Sequence, residues 1–134
     1  MSDEFRVHVY PTDCDIVGHV NHATFLRMLE RARWHSLEQK MSHSEFLDSG
    51  LFAIVRHFEI SYESQALPGD DLVIRTGLSE MGNTSFKVRQ EVRNARGEVV
   101  CNSTVVYVAV GPERRPIRVP EDWRTMFSDW KEGS

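Results

Sequence analysis

The sequence has only two cysteines and no long apolar run, and each scarcity excludes a class of protein. Cys14 and Cys101 show no Cys-x-x-Cys spacing and cannot form the disulfide framework of a small secreted domain. No stretch of about 18 uncharged apolar residues is present to span a bilayer. The first residues also lack the basic start and apolar core of a secretory signal. We therefore expect a cytoplasmic protein with no membrane association.

An excess of basic charge is also missing. Sixteen Lys plus Arg against twenty Asp plus Glu give a formal net charge of −4 with neutral histidines, so nonspecific attraction to nucleic acid is disfavoured. The 134 residues fit one domain over residues 1–134, and a hydrophobic content of 40% can fill its core without metal or disulfide staples. We expect no cofactor and no bound metal.

Hydrophobic periodicity predicts one long helix among five strands. A two-residue period indicates a strand over 5–10, and apolar residues spaced by three and four indicate a helix over 23–40 with Asn21 as its N-cap. The two-residue period then returns in four runs separated by turn residues. These runs extend from residue 52 to the turn at 68–70, and over 72–80, 84–93 and 98–110. A short C-terminal helix is expected over 121–130.

The order of these elements predicts an α+β fold, with a five-stranded antiparallel sheet packed around one principal helix. The last strand is apolar on both faces from Val105 to Val110, so we expect it to lie centrally in the sheet. One helix covers only one face of such a sheet. The free edges and any exposed apolar strip therefore predict a homo-oligomer.

The densest set of reactive side chains is the segment TDCDIVGHVNH, residues 12–22, which lies just before the long helix. Ordinary structural roles are available to its members, such as a positive φ for Gly18 and the helix cap for Asn21. The helix start also offers unpaired amides and the positive end of a dipole, which stabilise an anion. A carboxylate beside a carbonyl polarised by those amides favours acyl transfer to water.

This segment and the helix after it resemble the hotdog-fold acyl-CoA thioesterases of the 4-hydroxybenzoyl-CoA thioesterase type. The resemblance is carried by TDCDIVGHVNHATFL, the ERAR run at 30–33 and FEISYESQALPGD in a later strand, and it covers about residues 5–110. It implies a hotdog fold that works as a homodimer or homotetramer with active sites at subunit interfaces. It also implies hydrolysis of an acyl-CoA to the free acid and coenzyme A.

The resemblance further implies the site residues. The catalytic carboxylate falls on Asp15, and the backbone amide that polarises the thioester carbonyl falls on His22, whose imidazole is a further candidate. His19 and Asn21 occupy the interval between them and are candidates for orienting the loop or contacting substrate. The sequence does not choose between a nucleophile and a general base for Asp15.

Two more residues are candidates for substrate binding on their own chemistry. Arg89, one of several basic residues on the later strands, carries a guanidinium group that can bind a phosphate of coenzyme A, or simply faces solvent. Tyr62, like Trp34 on the helix, can line an acyl pocket or fill the core.

Other interpretations stay open. His19 and His22, with an acidic residue of the loop, have a spacing that can ligate a metal. Cys14 can serve as a nucleophile only with a lowered pKa, which the neighbouring aspartates oppose. Glu30 can be a catalytic carboxylate, although arginines three residues away on either side favour a helix salt bridge. The alternatives in function are hydrolysis of acyl groups on acyl carrier protein, and a non-catalytic acyl-binding module.

Overall fold

The computed structural model describes residues 3–130, which form five strands and three α-helices. In chain order these are β1 (Asp3–His8), α1 (His22–Glu38), α2 (His43–Asp48), β2 (Phe52–Tyr62), β3 (Asp71–Met81), β4 (Ser85–Arg93), β5 (Val99–Val110) and α3 (Glu121–Ser128), with a short 3-10 turn at Pro11–Asp13. No helix within these residues is both long and apolar enough to cross a membrane.

The five strands form one sheet in the order β1-β3-β4-β5-β2, and every neighbouring pair is antiparallel. The predicted α+β fold with a five-stranded antiparallel sheet is therefore confirmed. Strand β5 has a neighbour on each side, which suits its two apolar faces, but β4 occupies the middle position. Strands β1 and β2 form the two edges.

Local signals explain most of the element boundaries. The Asn21 side chain accepts a hydrogen bond from the Ala23 amide at 2.9 Å, so the predicted N-cap of α1 is confirmed. The turn before β3 is closed by the Asp70 amide, which donates to the Leu67 carbonyl at 3.0 Å. Strand β1 ends two residues earlier than predicted, because the chain enters the 3-10 turn after Tyr10.

Helix α2 was not among the predicted elements. Ser42 caps it by accepting a hydrogen bond from the Glu45 amide at 3.1 Å. A helix of six residues carries too little periodicity to be recognised in the sequence. It brings Phe46 close to Trp34, with ring centroids 5.7 Å apart, and so extends the core beyond the end of α1.

Helix α1 lies across the sheet on a stripe of buried residues with helical spacing, which are Phe25, Met28, Leu29, Ala32 and Ser36. The fully buried Gln90 of β4 fastens the middle of the helix to the sheet. Its amide nitrogen donates to the Leu29 carbonyl at 2.9 Å and to the Thr76 hydroxyl at 3.1 Å. Because these polar groups satisfy one another, the contact fixes the position of α1 without an unpaired buried amide.

The core divides into two parts along α1. Near the start of the helix it is mainly aliphatic and includes Val9, Leu29, Leu72 and Val100. Near the end of the helix, rings from β4, from α3 and from the residues after α3 form a group that we call the aromatic cluster: Phe86, Trp123, Phe127 and Trp130. The Trp130 carbonyl accepts a hydrogen bond from the Leu78 amide at 2.7 Å, at the bulge in β3, and so holds the chain after α3 on the sheet.

Candidate active site

The reactive segment before α1 folds into a tight loop closed by an antiparallel bridge between Cys14 and Val20. Within it the Asp15 amide donates to the His19 carbonyl at 2.9 Å, and the Gly18 amide donates to the Asp15 carbonyl at 3.0 Å. Gly18 has a φ of +82°, the left-handed conformation expected of it. The turn projects residues 15–17 into solvent.

Asp13 anchors this loop. Its carboxylate accepts a hydrogen bond from the Tyr10 amide at 2.9 Å, and its carbonyl accepts one from the Asn21 amide at 2.9 Å. A third anchor is the Val20 amide, which donates to the Ala66 carbonyl at 2.9 Å. Asp13 is thus engaged by the backbone on both sides of the loop, which is a structural role.

Asp15 differs from Asp13 in exposure and in its partners. Its Oδ1 atom accepts a hydrogen bond from the Val17 amide at 3.1 Å, which orients the carboxylate within its own turn. Within residues 3–130 its Oδ2 atom has no hydrogen-bond donor. The side chain is exposed, so one oxygen faces solvent and is available to water or to a reacting group.

The start of α1 lies at the end of the same loop. The Asn21 side chain accepts the hydrogen bond of the Ala23 amide and not that of the His22 amide. The His22 amide, in the first turn of α1, therefore has no acceptor in the described part of the chain. Unpaired amides at this position carry the positive end of the helix dipole. They can donate a hydrogen bond to a carbonyl oxygen on which negative charge develops.

The imidazole of His22 contacts Tyr62, which lies at the end of β2. The Tyr62 hydroxyl forms a hydrogen bond with His22 Nδ1, and the two rings pack edge to face with centroids 5.6 Å apart. Tyr62 also packs edge to face on Phe25 at 5.5 Å. Burial, with a smaller contribution from Cys101, raises the pKa of Tyr62, so its hydroxyl keeps its proton at neutral pH. Tyr62, on strand β2, therefore holds the His22 imidazole in place.

Thiol chemistry does not suit this loop. Burial and the charges of Asp13 and Asp15 raise the pKa of Cys14, which keeps it a thiol rather than a nucleophilic thiolate. Burial raises the pKa of Cys101 to about 12. Both cysteines are free, and neither forms a disulfide.

Two of the other candidates, Glu30 and Arg89, lie outside the loop that carries Asp15. Glu30 follows His22 by eight residues on α1, which separates them by about 12 Å along the axis. Arg89 lies on β4 between the inward-facing Val88 and Gln90, so it occupies the sheet face opposite α1. His19 is half-buried, and its carbonyl is used by the loop. Within residues 3–130 no three His, Cys, Asp or Glu side chains form a group that could hold a metal ion.

A separate cavity of about 230 Å³ lies under the second half of α1. Its walls include Arg33 and Trp34 from α1 and Trp123 from α3, and no residue of the 12–22 loop takes part. The sequence named Trp34 as a possible pocket residue but did not reveal this cavity. Its walls come from all three helices and from strands β2 to β5, so no local pattern could have revealed it.

Comparison with known proteins gives one consistent result. The family described as the thioesterase-like superfamily matches residues 9–127. The chain is 31% identical to the acyl-CoA thioester hydrolase YbgC of Escherichia coli O6:H1, over 86% of this chain and 87% of the relative. It is 28% identical to the long-chain acyl-CoA thioesterase FadM of Escherichia coli K12, over 82% and 83%.

A solved structure with the same fold is that of Slr0204, a 1,4-dihydroxy-2-naphthoyl-CoA thioesterase from Synechocystis. It superposes with a TM-score of 0.85 at 21% identity, over 96% of this chain and 97% of that one. The similarity extends over the whole sheet and its helices.

Proposed function

The chain belongs to the thioesterase-like superfamily, and from this premise we propose that it hydrolyses an acyl-CoA thioester to the free acid and coenzyme A. One observation carries the proposal: the exposed Asp15 carboxylate and the open His22 amide belong to one closed loop at the start of α1. The names of YbgC and FadM support the acyl-CoA substrate.

In the proposed reaction the thioester carbonyl oxygen accepts a hydrogen bond from the His22 amide, which makes the carbonyl carbon more electrophilic. As general base, Asp15 takes a proton from a water molecule whose oxygen attacks that carbon. As nucleophile, Asp15 attacks the carbon itself and forms an anhydride that water then cleaves. In both routes the carbon–sulfur bond breaks, and the sulfur of coenzyme A leaves and is protonated.

The remaining site residues have supporting roles in this proposal. Tyr62 orients the His22 imidazole through Nδ1 and, with His19 and Asn21, borders the space where the thioester binds. Arg89 supplies a guanidinium group for a phosphate of coenzyme A. Because Arg89 lies on the far face of the sheet from α1, it serves a site formed with another subunit.

We infer that the protein is a homo-oligomer, a dimer or a tetramer. Strand β2 is an edge strand, and four of its large apolar side chains are at least 39% exposed: Phe52, Ile54, Val55 and Tyr62. An apolar edge of this kind is prone to pair with another strand unless a partner covers it. Sedimentation at micromolar concentration should show no monomer, and a fully active monomer of 15.5 kDa would contradict the inference.

We also propose a cytoplasmic location, which the two free cysteines support.

The proposed activity is tested with a panel of acyl-CoA esters that differ in chain length and aromaticity, by detecting the free thiol of released coenzyme A. We expect turnover of at least one ester. Turnover of acyl carrier protein thioesters alone would contradict the coenzyme A assignment. Binding of every ester without release of thiol would indicate a non-catalytic acyl-binding module.

The same assay tests the chemistry after exhaustive EDTA treatment. We expect turnover to survive, because the proposed steps need only a carboxylate, water and helix amides. Loss of turnover that added zinc restores would instead assign His19, His22 and Asp15 as metal ligands.

A further inference from the structure

The cavity under the second half of α1 has the size of one substituted ring. Its volume is about 230 Å³, and an apolar cavity of about 150 Å³ is already large enough to bind benzene. Helix α1, helix α3 and the inner face of the sheet supply most of its walls. Trp34, which is 36% exposed, is one of the lining residues that also reach solvent.

The walls of the cavity are suited to an aromatic guest. All three tryptophans of the sequence, Trp34, Trp123 and Trp130, line it. Further rings in its walls lie in edge and near-parallel orientations: Phe86 meets Trp123 edge to face, with centroids 6.5 Å apart, and Phe46 stacks on Trp123 at 6.2 Å. A flat ring can therefore meet both ring faces and ring edges, the two arrangements that aromatic pairs prefer.

One wall carries a cation with unused donors. Arg33 is half-buried and donates from Nε to the Tyr107 hydroxyl at 2.6 Å and from Nη1 to Gln90 Oε1 at 2.9 Å. Both partners are neutral. A guanidinium group has five N–H donors, so three of them have no acceptor within residues 3–130. Glu30 also lines the cavity, but it is exposed and forms no ion pair with Arg33 in the described chain.

We propose that this cavity is a binding site for a small aromatic carboxylic acid. Its ring lies among the tryptophans, and its carboxylate accepts hydrogen bonds from Arg33. The site is separate from the proposed active site within one chain: its nearest helical residue, Glu30, follows His22 by eight positions, about 12 Å along the axis. Binding there requires no bond to break, so it does not depend on the proposed hydrolysis.

The three tryptophans provide a direct readout. Benzoate is titrated into the full chain while indole fluorescence is excited at the red edge of its band. We expect a saturable change in intensity, together with a higher unfolding temperature, because a ligand that binds only the folded state stabilises it. Toluene tests the role of Arg33, and hexanoate tests the preference for a ring. We expect toluene to bind at least about tenfold more weakly, because it lacks the charged acceptor for Arg33. Hexanoate keeps the carboxylate but offers no ring to the tryptophans, and we expect it also to bind more weakly than benzoate.

Two variants locate the site. Val88→Phe fills the cavity from the sheet and should abolish the benzoate response if the variant stays folded. Asp15→Asn changes the other end of α1 and should leave the response intact, whether or not the protein hydrolyses thioesters. Arg33→Met is a second test that leaves the cavity open, and it should weaken benzoate to the affinity of toluene.

Four results would overturn the proposal. The first is no saturable response to benzoate in the folded wild type. The second is an unchanged response in folded Val88→Phe or Arg33→Met. The third is toluene or hexanoate binding as tightly as benzoate. A response lost in Asp15→Asn would likewise place the acid at the loop instead of the cavity.

Discussion

The start of α1 carries an exposed polar loop, whereas its second half covers a cavity lined by aromatic rings. At the start, Asp15 and His22 come from one short segment and are held by backbone hydrogen bonds. At the other end, Trp123 is 2% exposed and is held by rings from several elements. The exposed polar loop and the buried aromatic rings thus lie only a few turns apart along α1.

From this difference we propose that the chemistry takes place at the loop and that the aromatic cluster contributes mainly to stability. Groups that react with water or a substrate must be accessible, and the loop leaves one Asp15 oxygen and the His22 amide open. Burial of large apolar rings supplies stability in proportion to the area removed from water. Substitutions at the loop should therefore change turnover with little effect on folding, and substitutions at the aromatic cluster should do the reverse.

The largest stability effect should come from Trp123→Ala. Removing a buried tryptophan leaves a cavity next to Phe86 and Phe127, and we expect a loss of about 3–5 kcal/mol in the free energy of unfolding. Urea denaturation measures this loss. Val17→Ala, at a loop side chain that is 68% exposed, is the control and should change stability by less than about 0.5 kcal/mol. An equal loss of unfolding free energy in both variants would contradict the greater contribution of the aromatic cluster to stability.

Tyr107→Phe should have the next largest effect. It removes the hydroxyl that accepts a hydrogen bond from Arg33 at 2.6 Å, and bonds to charged groups contribute about 1.5–3 kcal/mol. We expect the free energy of unfolding to fall by about this amount while turnover per folded enzyme is kept. Unchanged stability with reduced turnover would assign Tyr107 to the chemistry and contradict the proposal that the chemistry is confined to the loop.

Tyr62→Phe is the matched substitution at the other end of the helix. It removes the hydroxyl that contacts His22 Nδ1 but keeps the ring on Phe25. We expect turnover to fall by about fivefold, the equivalent of one hydrogen bond of about 1 kcal/mol, with a smaller change in stability than in Tyr107→Phe. If Tyr62→Phe instead lowers stability alone, the hydroxyl has no part in positioning the imidazole.

The smallest effect should come from Asp129→Asn, which breaks the ion pair that joins Lys40 to the end of α3 at 2.9 Å. Lys40 lowers the pKa of Asp129 below its ordinary value of 3.8. A lowered folded pKa means that the carboxylate stabilises the fold at pH values above the unfolded pKa. This contribution is lost as the pH falls through the lowered value. The variant should therefore unfold at a slightly lower temperature than wild type at neutral pH, and this difference should disappear in acid. A difference in unfolding temperature that grows in acid would contradict the lowered pKa of Asp129.

The two ends also differ in how well the sequence predicts them. Asn21, Gly18 and the alternating strands act through neighbours in the chain, so their roles as cap, turn and sheet residues follow from local pattern. The contact between Tyr62 and His22 joins residues 40 positions apart and depends on where β2 lies. Sequence reasoning named both residues but not their hydrogen bond.

The sequence predicts less of the surroundings of the aromatic cluster, for a related reason. Trp123 and Phe127 form a helical stripe in the sequence, but nothing in it says that the stripe faces Arg33 across a cavity. The hydrogen bond from the Leu78 amide, at the bulge in β3, to the Trp130 carbonyl is one of the tertiary contacts that hold this part of the chain on the sheet. Local patterns therefore predict the elements, and their packing decides which side chains meet.

The most direct test of the account compares Asp15→Asn with Asp13→Asn in the acyl-CoA assay. Both replacements keep the size of the side chain and remove one negative charge. Asn at position 13 can still accept the hydrogen bond from the Tyr10 amide that Asp13 accepts at 2.9 Å, so the loop should keep its shape. Asn at position 15 can neither take a proton from water nor attack a carbonyl as a carboxylate does.

With both variants shown to be folded by circular dichroism, we predict that Asp15→Asn lowers turnover by at least about 10²-fold, the lower end for losing a positioned general base. Asp13→Asn should remain within a few-fold of wild type. Near wild-type turnover in Asp15→Asn, or a folded but inactive Asp13→Asn beside an active Asp15→Asn, would contradict the assignment of the catalytic carboxylate.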